Sequence, residues 1–176
     1  GNLSLAIEHL NQAVSLRPRD LDLRNTLGNA LVAVGRPGEA VPHYTESLKL
    51  APGLFLTHYN LSLALAESGA LAQAVSRYAE ALRIQPHNVL AHNNMANSLA
   101  QLGFREEAVQ HYLEAVRIQP DFTDAYTNLG LVLKQLGQVD AAKEAFAQVL
   151  RLDPSHLKAQ QQLQLLRQLS APGPGG

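Results

Sequence analysis

The sequence predicts an all-α solenoid in which one helix–turn–helix unit is repeated along the chain. Apolar residues follow the helical i, i+3, i+4, i+7 spacing twice within each unit. The composition, 46% hydrophobic but only 5% aromatic, suits close packing of helices. A stacked array has no single enclosed core, so its long surface is expected to carry the function. The deciding observation is an interval of 34 residues shared by Pro18, Pro52, Pro86, Pro120 and Pro154, by Gly35, Gly69, Gly103 and Gly137, and by Ala40, Ala74, Ala108 and Ala142.

Each complete unit begins three residues after a phased proline. The first helix of a unit is expected to end at the phased glycine, which tolerates positive φ. The second helix ends at the phased proline, whose ring cannot continue the backbone ladder. Pro42, inside a second helix, predicts local fraying or a bend there. The complete units are unit 1 (21–54), unit 2 (55–88), unit 3 (89–122) and unit 4 (123–156).

Both ends of the chain depart from the complete unit. Residues 1–20 are expected to form a partial repeat that contains only a second helix, because residues 1–17 are in phase with the second helices of the full units. Residues 157–169 predict one additional helix, whose Gln-rich composition suits a polar cap on the last unit. Residues 170–176 are rich in Pro and Gly and predict a disordered tail.

Two places in the unit carry residues chosen for packing. The eighth place is always small, which lets paired helices approach to the short end of the usual 8–10 Å range. A large ring follows at the twenty-fourth place and is expected to fill the gap between units. The small residues are Gly28, Ser62, Ala96 and Gly130, and the rings are Tyr44, Tyr78, Tyr112 and Phe146.

Composition excludes several classes of function. The formal net charge is −1 and no basic block occurs, so neither a nucleic acid nor an anionic membrane is the expected partner. No apolar run is long enough for a membrane span. The chain has no Cys, and none of the HExxH, GxSxG, P-loop or GxGxxG patterns occurs. We therefore expect no enzymatic activity and no cofactor. The sequence does not specify a compartment; a soluble, cytoplasmic protein is the expectation.

Histidines recur at two places of the unit but do not predict a metal site. Residues that share a place lie in separate units, so we expect them roughly 10 Å apart. Zinc ligands must lie about 2.0–2.1 Å from a common ion. The histidines that share a place are His58 and His92 in one set, and His9, His43 and His111 in the other.

The units resemble tetratricopeptide repeats over nearly the whole chain. The segments AHNNMANSLAQLGFREEAVQHYLEAVRIQP and AYTNLGLVLKQLGQVDAAKEAFAQVLRLDP show the resemblance best. The family's large aromatic residue near the start of the first helix is replaced in three units, by Arg24, His58 and His92. The resemblance implies a right-handed superhelix in which the first helices line a concave groove. The second, fifth, sixth and ninth residues of each first helix would face that groove.

At these groove places the chain carries a row of carboxamides. A carboxamide has one acceptor and two donor hydrogens, so it can pair with both the C=O and the N–H of a peptide backbone. Stacked helices recur at roughly 10 Å and an extended peptide rises about 3.3 Å per residue, so one amide can hold about every third residue. The candidate amides are Asn25, Asn29, Asn60, Asn93, Asn94, Asn97, Asn128 and Gln162, with apolar contacts from Leu56, Leu63, Leu90 and Leu131.

The sequence predicts a scaffold that binds an extended segment of a partner protein through this row. The row resembles the asparagine ladder in the repeat domain of O-linked N-acetylglucosamine transferase, which holds extended peptides. The same amides could instead join neighbouring helices and stabilise the superhelix, and the two roles are compatible. An alternative is the substrate-recruiting repeat region of a larger enzyme, such as a glycosyltransferase. A third hypothesis is self-association through the N-terminal helix, where Ala6, Leu10 and Ala13 lack a first helix.

A carboxylate clamp, the family's other peptide-binding mode, does not fit the groove places. The clamp uses two Lys and an Arg where this chain has Asn25, Leu90 and Asn94. Without a positive cluster, a terminal carboxylate has little to pair with.

Overall fold

The computed structural model describes residues 2–169, and Gly1 and the predicted tail at 170–176 lie outside the described residues. The described chain is entirely helical with no strand, which confirms the all-α class. Its helices are α1 (Asn2–Leu16), α2 (Leu21–Ala33), α3 (Pro37–Leu50), α4 (Phe55–Glu67), α5 (Leu71–Ile84), α6 (Val89–Gln101), α7 (Arg105–Ile118), α8 (Thr123–Gln135), α9 (Val139–Leu152) and α10 (Leu157–Leu169).

The helices stack as pairs. In units 1 to 4 the first helices are α2, α4, α6 and α8, and each packs against the second helix that follows it. Each second helix packs in turn against the first helix of the next unit. First helices also contact one another across successive units, α2 with α4, α4 with α6 and α6 with α8. Because successive first helices contact one another in this way, they line the inner face of the solenoid. No helix in residues 2–169 is both long and apolar enough to cross a membrane.

The turn inside each unit is closed by the phased glycine. Gly35, Gly69, Gly103 and Gly137 have φ values of 76°, 80°, 90° and 73°. The residue after each glycine donates its backbone N–H five residues back, for example from Arg36 to the carbonyl of Leu31 at 2.9 Å. This is a Schellman ending, which requires a left-handed residue and so confirms the glycine as the helix stop.

The phased proline carbonyl is bound by the fourth residue of the next first helix. Arg24 Nε donates to the Pro18 carbonyl at 2.7 Å, and the Nε2 atoms of His58 and His92 donate to the preceding proline carbonyls at 3.0 Å. Gln160 on α10 binds the Pro154 carbonyl in the same way at 2.7 Å. A polar residue at this place thus ties units 1 to 3 and the cap helix to the preceding turn, whereas unit 4 has Tyr126 there.

The predicted fraying at Pro42 is wrong. Helix α3 runs without interruption from Pro37 to Leu50, although Pro42 lies inside it. Pro42 would have donated to the carbonyl of Gly38 in the first turn of the helix, so only one bond near an end is lost. The second helices of units 1 to 4 have 14 residues each.

The large ring of each unit packs over the small eighth residue. All four rings are at most 2% exposed. A Cβ added to Gly28 would lie 2.6 Å from Tyr44 Cζ, and one added to Gly130 would lie 2.8 Å from Phe146 Cζ. These distances are well inside van der Waals contact, so in units 1 and 4 the ring lies against the glycine backbone and a Cβ there would force the ring to shift.

Helix α1 has no first helix beside it in the described chain. Ile7 and Val14 are buried against the rest of the solenoid, whereas Leu3, Leu5 and Leu16 are 51%, 56% and 82% exposed. α1 packs mainly on α2.

Candidate functional site

Two pairs of asparagines join neighbouring first helices on the inner face. In the first pair, Asn60 Nδ2 on α4 donates to Asn29 Oδ1 on α2 at 3.0 Å. The same Oδ1 accepts a second hydrogen bond, at 2.6 Å, from the hydroxyl of Tyr44. We call Asn29 and Asn60 the first amide rung.

The second amide rung repeats this arrangement two units later. Asn128 Nδ2 on α8 donates to Asn97 Oδ1 on α6 at 3.2 Å, and the Tyr112 hydroxyl donates to the same oxygen at 2.5 Å. In both rungs the ninth residue of one first helix accepts from the sixth residue of the next. The rungs therefore join helices, as the architectural hypothesis expected, and each is oriented by a buried tyrosine.

Each rung retains hydrogen-bonding groups that make no bond within residues 2–169. The two donors to Asn29 and Asn97 occupy the Oδ1 of each, so the Nδ2 groups of these residues point elsewhere and keep their hydrogens. Asn60 and Asn128 act only as donors, which leaves their Oδ1 atoms as acceptors. Each rung thus offers a free donor and a free acceptor, and both asparagines of a rung line the same cavity of the inner face.

The tyrosine hydroxyls are fixed as donors. Burial, with a contribution from Glu67, raises the pKa of Tyr44 to about 12. Burial also raises the pKa of Tyr112. Neither hydroxyl ionises near neutral pH, so both continue to hold the asparagine oxygens and keep the amide orientation constant.

Between the two rungs the inner face is aromatic and apolar. The ninth place of unit 2 is Leu63, which cannot accept a hydrogen bond. Asn94 Nδ2 donates instead to the hydroxyl of Tyr59 at 3.0 Å. The Tyr59 ring lies edge-on to Tyr78 at 6.1 Å and stacks on Phe55 at 5.9 Å. Asn94 therefore belongs to an aromatic step and not to an amide rung.

The fifth-place asparagines lie between helices. Asn25 is half-buried, and its Nδ2 donates to Thr57 Oγ1 at 3.1 Å. Asn93 is only 6% exposed, and its Nδ2 donates to Asn94 Oδ1 at 3.3 Å. The Oδ1 atoms of Asn25 and Asn93 are buried and without a partner among the described residues. Asn93 is thus buried between helices, whereas Asn25 also lines a surface cavity with Asp22 and Leu56.

The other candidate residues divide by exposure. Leu56 and Leu90, at the second place, are 68% and 51% exposed. Leu63 and Leu131, at the ninth place, are half-buried and line cavities of the inner face. Gln162 on the cap helix accepts a hydrogen bond from Lys134 Nζ on α8 at 2.7 Å, so α8 and α10 are joined by a lysine–amide contact instead of an amide–amide one.

Family models of the tetratricopeptide repeat match most of the chain. One matches residues 1–55, a second matches 63–103 and 105–137, and a third matches 123–156. The chain belongs to the tetratricopeptide repeat (TPR) family. No curated protein sequence matches it.

Solved structures share the TPR solenoid. MamA superposes with a TM-score of 0.85 at 20% identity, over 90% of this chain and 92% of MamA. YrrB, a TPR protein with an unusual peptide-binding site, superposes with a TM-score of 0.78 at 21% identity, over 93% of this chain and 84% of YrrB. The first TPR of Spaghetti (RPAP3), bound to the HSP90 peptide SRMEEVD, gives a TM-score of 0.64 at 23% identity, over 67% of this chain and 94% of that one.

The orienting tyrosines are the part of the site that sequence reasoning missed. The sequence predicts only a packing role for these rings, yet in units 1 and 3 the ring hydroxyl binds the ninth-place asparagine, which lies 15 residues earlier. In unit 4 the ring is Phe146 and the ninth residue is Leu131. Unit 2 combines Tyr78 with Leu63, so a tyrosine alone does not mark a rung, and the signal is the presence of Asn at the ninth place together with Tyr 15 residues later.

A histidine pair lies inside TPR unit 3, between two different places of the repeat. His92 Nε2 faces the carbonyl of Pro86, which can only accept, so Nε2 carries the hydrogen and Nδ1 is the acceptor. His111 Nδ1 then donates to His92 Nδ1 at 2.9 Å. The sequence does not predict this contact, because His92 and His111 occupy different places of the repeat. No cluster of three or more metal-binding side chains occurs among the described residues.

We expect acid to destabilise the TPR array through His111. Burial, reinforced by His92, lowers the pKa of His111 below its usual 6.5. Below that pH the unfolded chain binds a proton that the folded chain does not, so the free energy of unfolding falls as pH falls. Chemical denaturation at several pH values between about 7.5 and 5.5 measures the slope of the free energy of unfolding against pH. His111→Ala should reduce it, leaving a remainder from His43, whose pKa burial also lowers.

The matched control for this measurement is His9→Ala. His9 occupies the same repeat place as His43 and His111 but is exposed on α1. The His9→Ala variant should therefore have the same slope as the wild type. An equal slope in His111→Ala and the wild type would contradict the assignment.

Proposed function

We propose that this TPR array is a protein–protein interaction scaffold that holds an extended segment of a partner protein along its inner face. The observation that carries the proposal is the unused pair of groups on each amide rung. Asn29 and Asn97 keep their N–H donors, while Asn60 and Asn128 keep their carbonyl acceptors. A donor beside an acceptor complements the C=O and N–H that an extended peptide presents along its edge.

Because the rungs would bind the peptide backbone, peptides with different side chains can bind. The rungs lie two units apart, about 20 Å at roughly 10 Å per unit. An extended peptide covers that distance in about six residues. The apolar step around Leu63 and Tyr59 lies between the rungs, where intervening side chains can pack. The two rungs act as a short asparagine ladder, similar to that of O-linked N-acetylglucosamine transferase, with binding and not catalysis as the activity of these repeats.

The structural neighbours are consistent with this proposal. YrrB has a peptide-binding site and the RPAP3 repeat holds an HSP90 peptide. The mode proposed here differs from a terminal carboxylate clamp, because the groups offered at the rungs are neutral amides. The contribution of the rungs to affinity should therefore depend only weakly on salt.

The test begins with peptides selected on the wild-type protein. Random unstructured peptides of about twelve residues span about 40 Å when extended and so reach both rungs. Selected peptides are titrated calorimetrically into the wild type and into the double variant Asn60→Ala with Asn128→Ala. Each substitution removes an acceptor and a donor but leaves the Tyr–Asn pair in place. We expect a loss of about 2 kcal/mol, roughly thirtyfold in affinity.

Asn11→Ala, on exposed α1 away from the groove, is the control and should bind as the wild type does. The proposal fails if the double variant keeps its affinity, or if no peptide is recovered. For selected peptides that contain no acidic side chain, a steep loss of affinity with salt would indicate a charge clamp instead.

A further inference from the structure

Two cavities of the inner face occupy equivalent positions beside the two amide rungs. The first has a volume of about 180 Å³ and the second about 400 Å³. Each is bounded by a rung, by its orienting tyrosine and by the ninth-place leucine of the next unit. We call the first, lined by Asn29, Val32, Ala33, Tyr44, Asn60 and Leu63, the aliphatic pocket. We call the second, lined in part by Asn97, Gln101, Arg105, Asn128, Leu131 and Gln135, the arginine pocket.

The two pockets differ in charge. Only side chains without formal charge line the aliphatic pocket, and Val32, Ala33 and Leu63 supply its apolar surface. Glu67 lies close enough to raise the pKa of the Tyr44 hydroxyl beside this pocket, and its negative charge disfavours an acidic guest. The arginine pocket is larger and its rim carries the guanidinium of Arg105.

Arg105 has unused donors. Its Nε donates to Gln135 Oε1 at 3.0 Å. Its two terminal NH2 groups make no hydrogen bond or ion pair within residues 2–169, although Glu106 and Glu107 follow it in sequence. Arg36 and Arg117, by contrast, each bind a carboxylate three residues away. An unpaired guanidinium at the mouth of a polar pocket is complementary to a carboxylate.

We propose that the groove selects an extended peptide that carries an aliphatic side chain and an acidic side chain about six residues apart. The aliphatic side chain occupies the aliphatic pocket, and the Asp or Glu carboxylate accepts from Arg105 in the arginine pocket. The spacing follows from two units at roughly 10 Å each and about 3.3 Å per residue of extended chain. This inference rests on the proposed function, because the amide rungs must first align the peptide backbone.

The experiment uses peptides selected from the random pool on the wild type and on Arg105→Glu. Wild-type selections should be enriched in Asp or Glu five to seven residues from Val, Leu or Ile. Peptides selected on Arg105→Glu should carry Lys or Arg at the position where wild-type selections carry Asp or Glu. In titrations, Arg105→Gln and replacement of the peptide acid by its amide should each cost about tenfold, and the two changes together little more than either alone.

Two controls separate the possible sources of the effect. Arg83→Glu on the outer helix α5, where Arg83 pairs with Glu80, should leave the selected sequences unchanged. Peptides with an amidated C-terminus should bind as the free acids do. Loss of binding on amidation would overturn the side-chain assignment in favour of a terminal carboxylate.

The outcomes distinguish this inference from the proposed function. Peptides that depend on the amide rungs but lack the acidic residue, or keep it in Arg105→Glu selections, overturn the arginine pocket and leave the backbone grip intact. Peptides indifferent to the rungs overturn both.

Discussion

Phe146→Ala is expected to lower the free energy of unfolding by about 4 kcal/mol. The ring is fully buried between the helices of unit 4 and lies directly over the backbone of Gly130. Truncation removes its buried apolar surface and leaves a cavity that a backbone glycine cannot fill. Chemical denaturation measures the change. Phe104→Ala is the control, because Phe104 is 53% exposed and such surface changes fall within about 0.5 kcal/mol.

A second substitution tests whether the contact with Gly130 is the cause. Gly130→Leu alone should be destabilising, since its Cβ would already lie 2.8 Å from the Phe146 ring. In the double variant the leucine enters the space that the ring vacates. The losses should then be non-additive by about 0.5–3 kcal/mol in the stabilising direction. Strict additivity, or a loss below about 1 kcal/mol for Phe146→Ala, would mean that the ring is not the main support of this unit.

The placement of the helices could be predicted because it depends on local rules. A positive-φ glycine ends each first helix and a proline limits each second one, and both act within a few residues of chain. The repeat strengthens the prediction, because the same rule applies in every unit. The glycines Gly35, Gly69, Gly103 and Gly137 all have positive φ. Pro42 shows the limit of such a rule. A residue that breaks helices in general is tolerated where the bond it removes lies in the first turn.

The orientation of the amides could not be predicted from repeat places alone. Asn25 and Asn93 share a place that resemblance assigns to the groove, yet their side chains turn toward neighbouring groups between helices. The Asn25 amide donates to the hydroxyl of Thr57. Two units later, the residue equivalent to Thr57 is Ala125, so Asn93 has no hydroxyl at that place to bind. Such orientations depend on which neighbour in the next unit can accept a hydrogen bond, and this varies from unit to unit.

The rungs depend on paired residues. Tyr44 and Tyr112 each supply a hydroxyl to an asparagine 15 residues earlier. Removing the asparagine alone would strand a buried hydroxyl at a cost of about 1–3 kcal/mol. Unit 4 avoids this cost, because it combines Phe146 with Leu131. A loss of binding can therefore be separated from a loss of stability by copying the unit 4 pair into units 1 and 3.

The variant that carries Asn29→Leu, Tyr44→Phe, Asn97→Leu and Tyr112→Phe is expected to bind selected peptides more than a hundredfold less tightly. It loses the free donors of both rungs and the bonds that orient Asn60 and Asn128. At 0.5–1.5 kcal/mol for each neutral hydrogen bond, the loss is about 3 kcal/mol. Its melting temperature should stay near that of the wild type, because no polar group of the exchanged pairs is left buried and unpaired.

Calorimetric titration and thermal denaturation of the same samples check both halves of this expectation. The control carries only Tyr44→Phe and Tyr112→Phe, which keeps the asparagines but removes the donors that orient them. It should lose less affinity than the full exchange, because the free amides can still rotate toward a ligand. If the full exchange keeps its affinity, the rungs serve only to join α2 to α4 and α6 to α8, and the peptide must be held elsewhere.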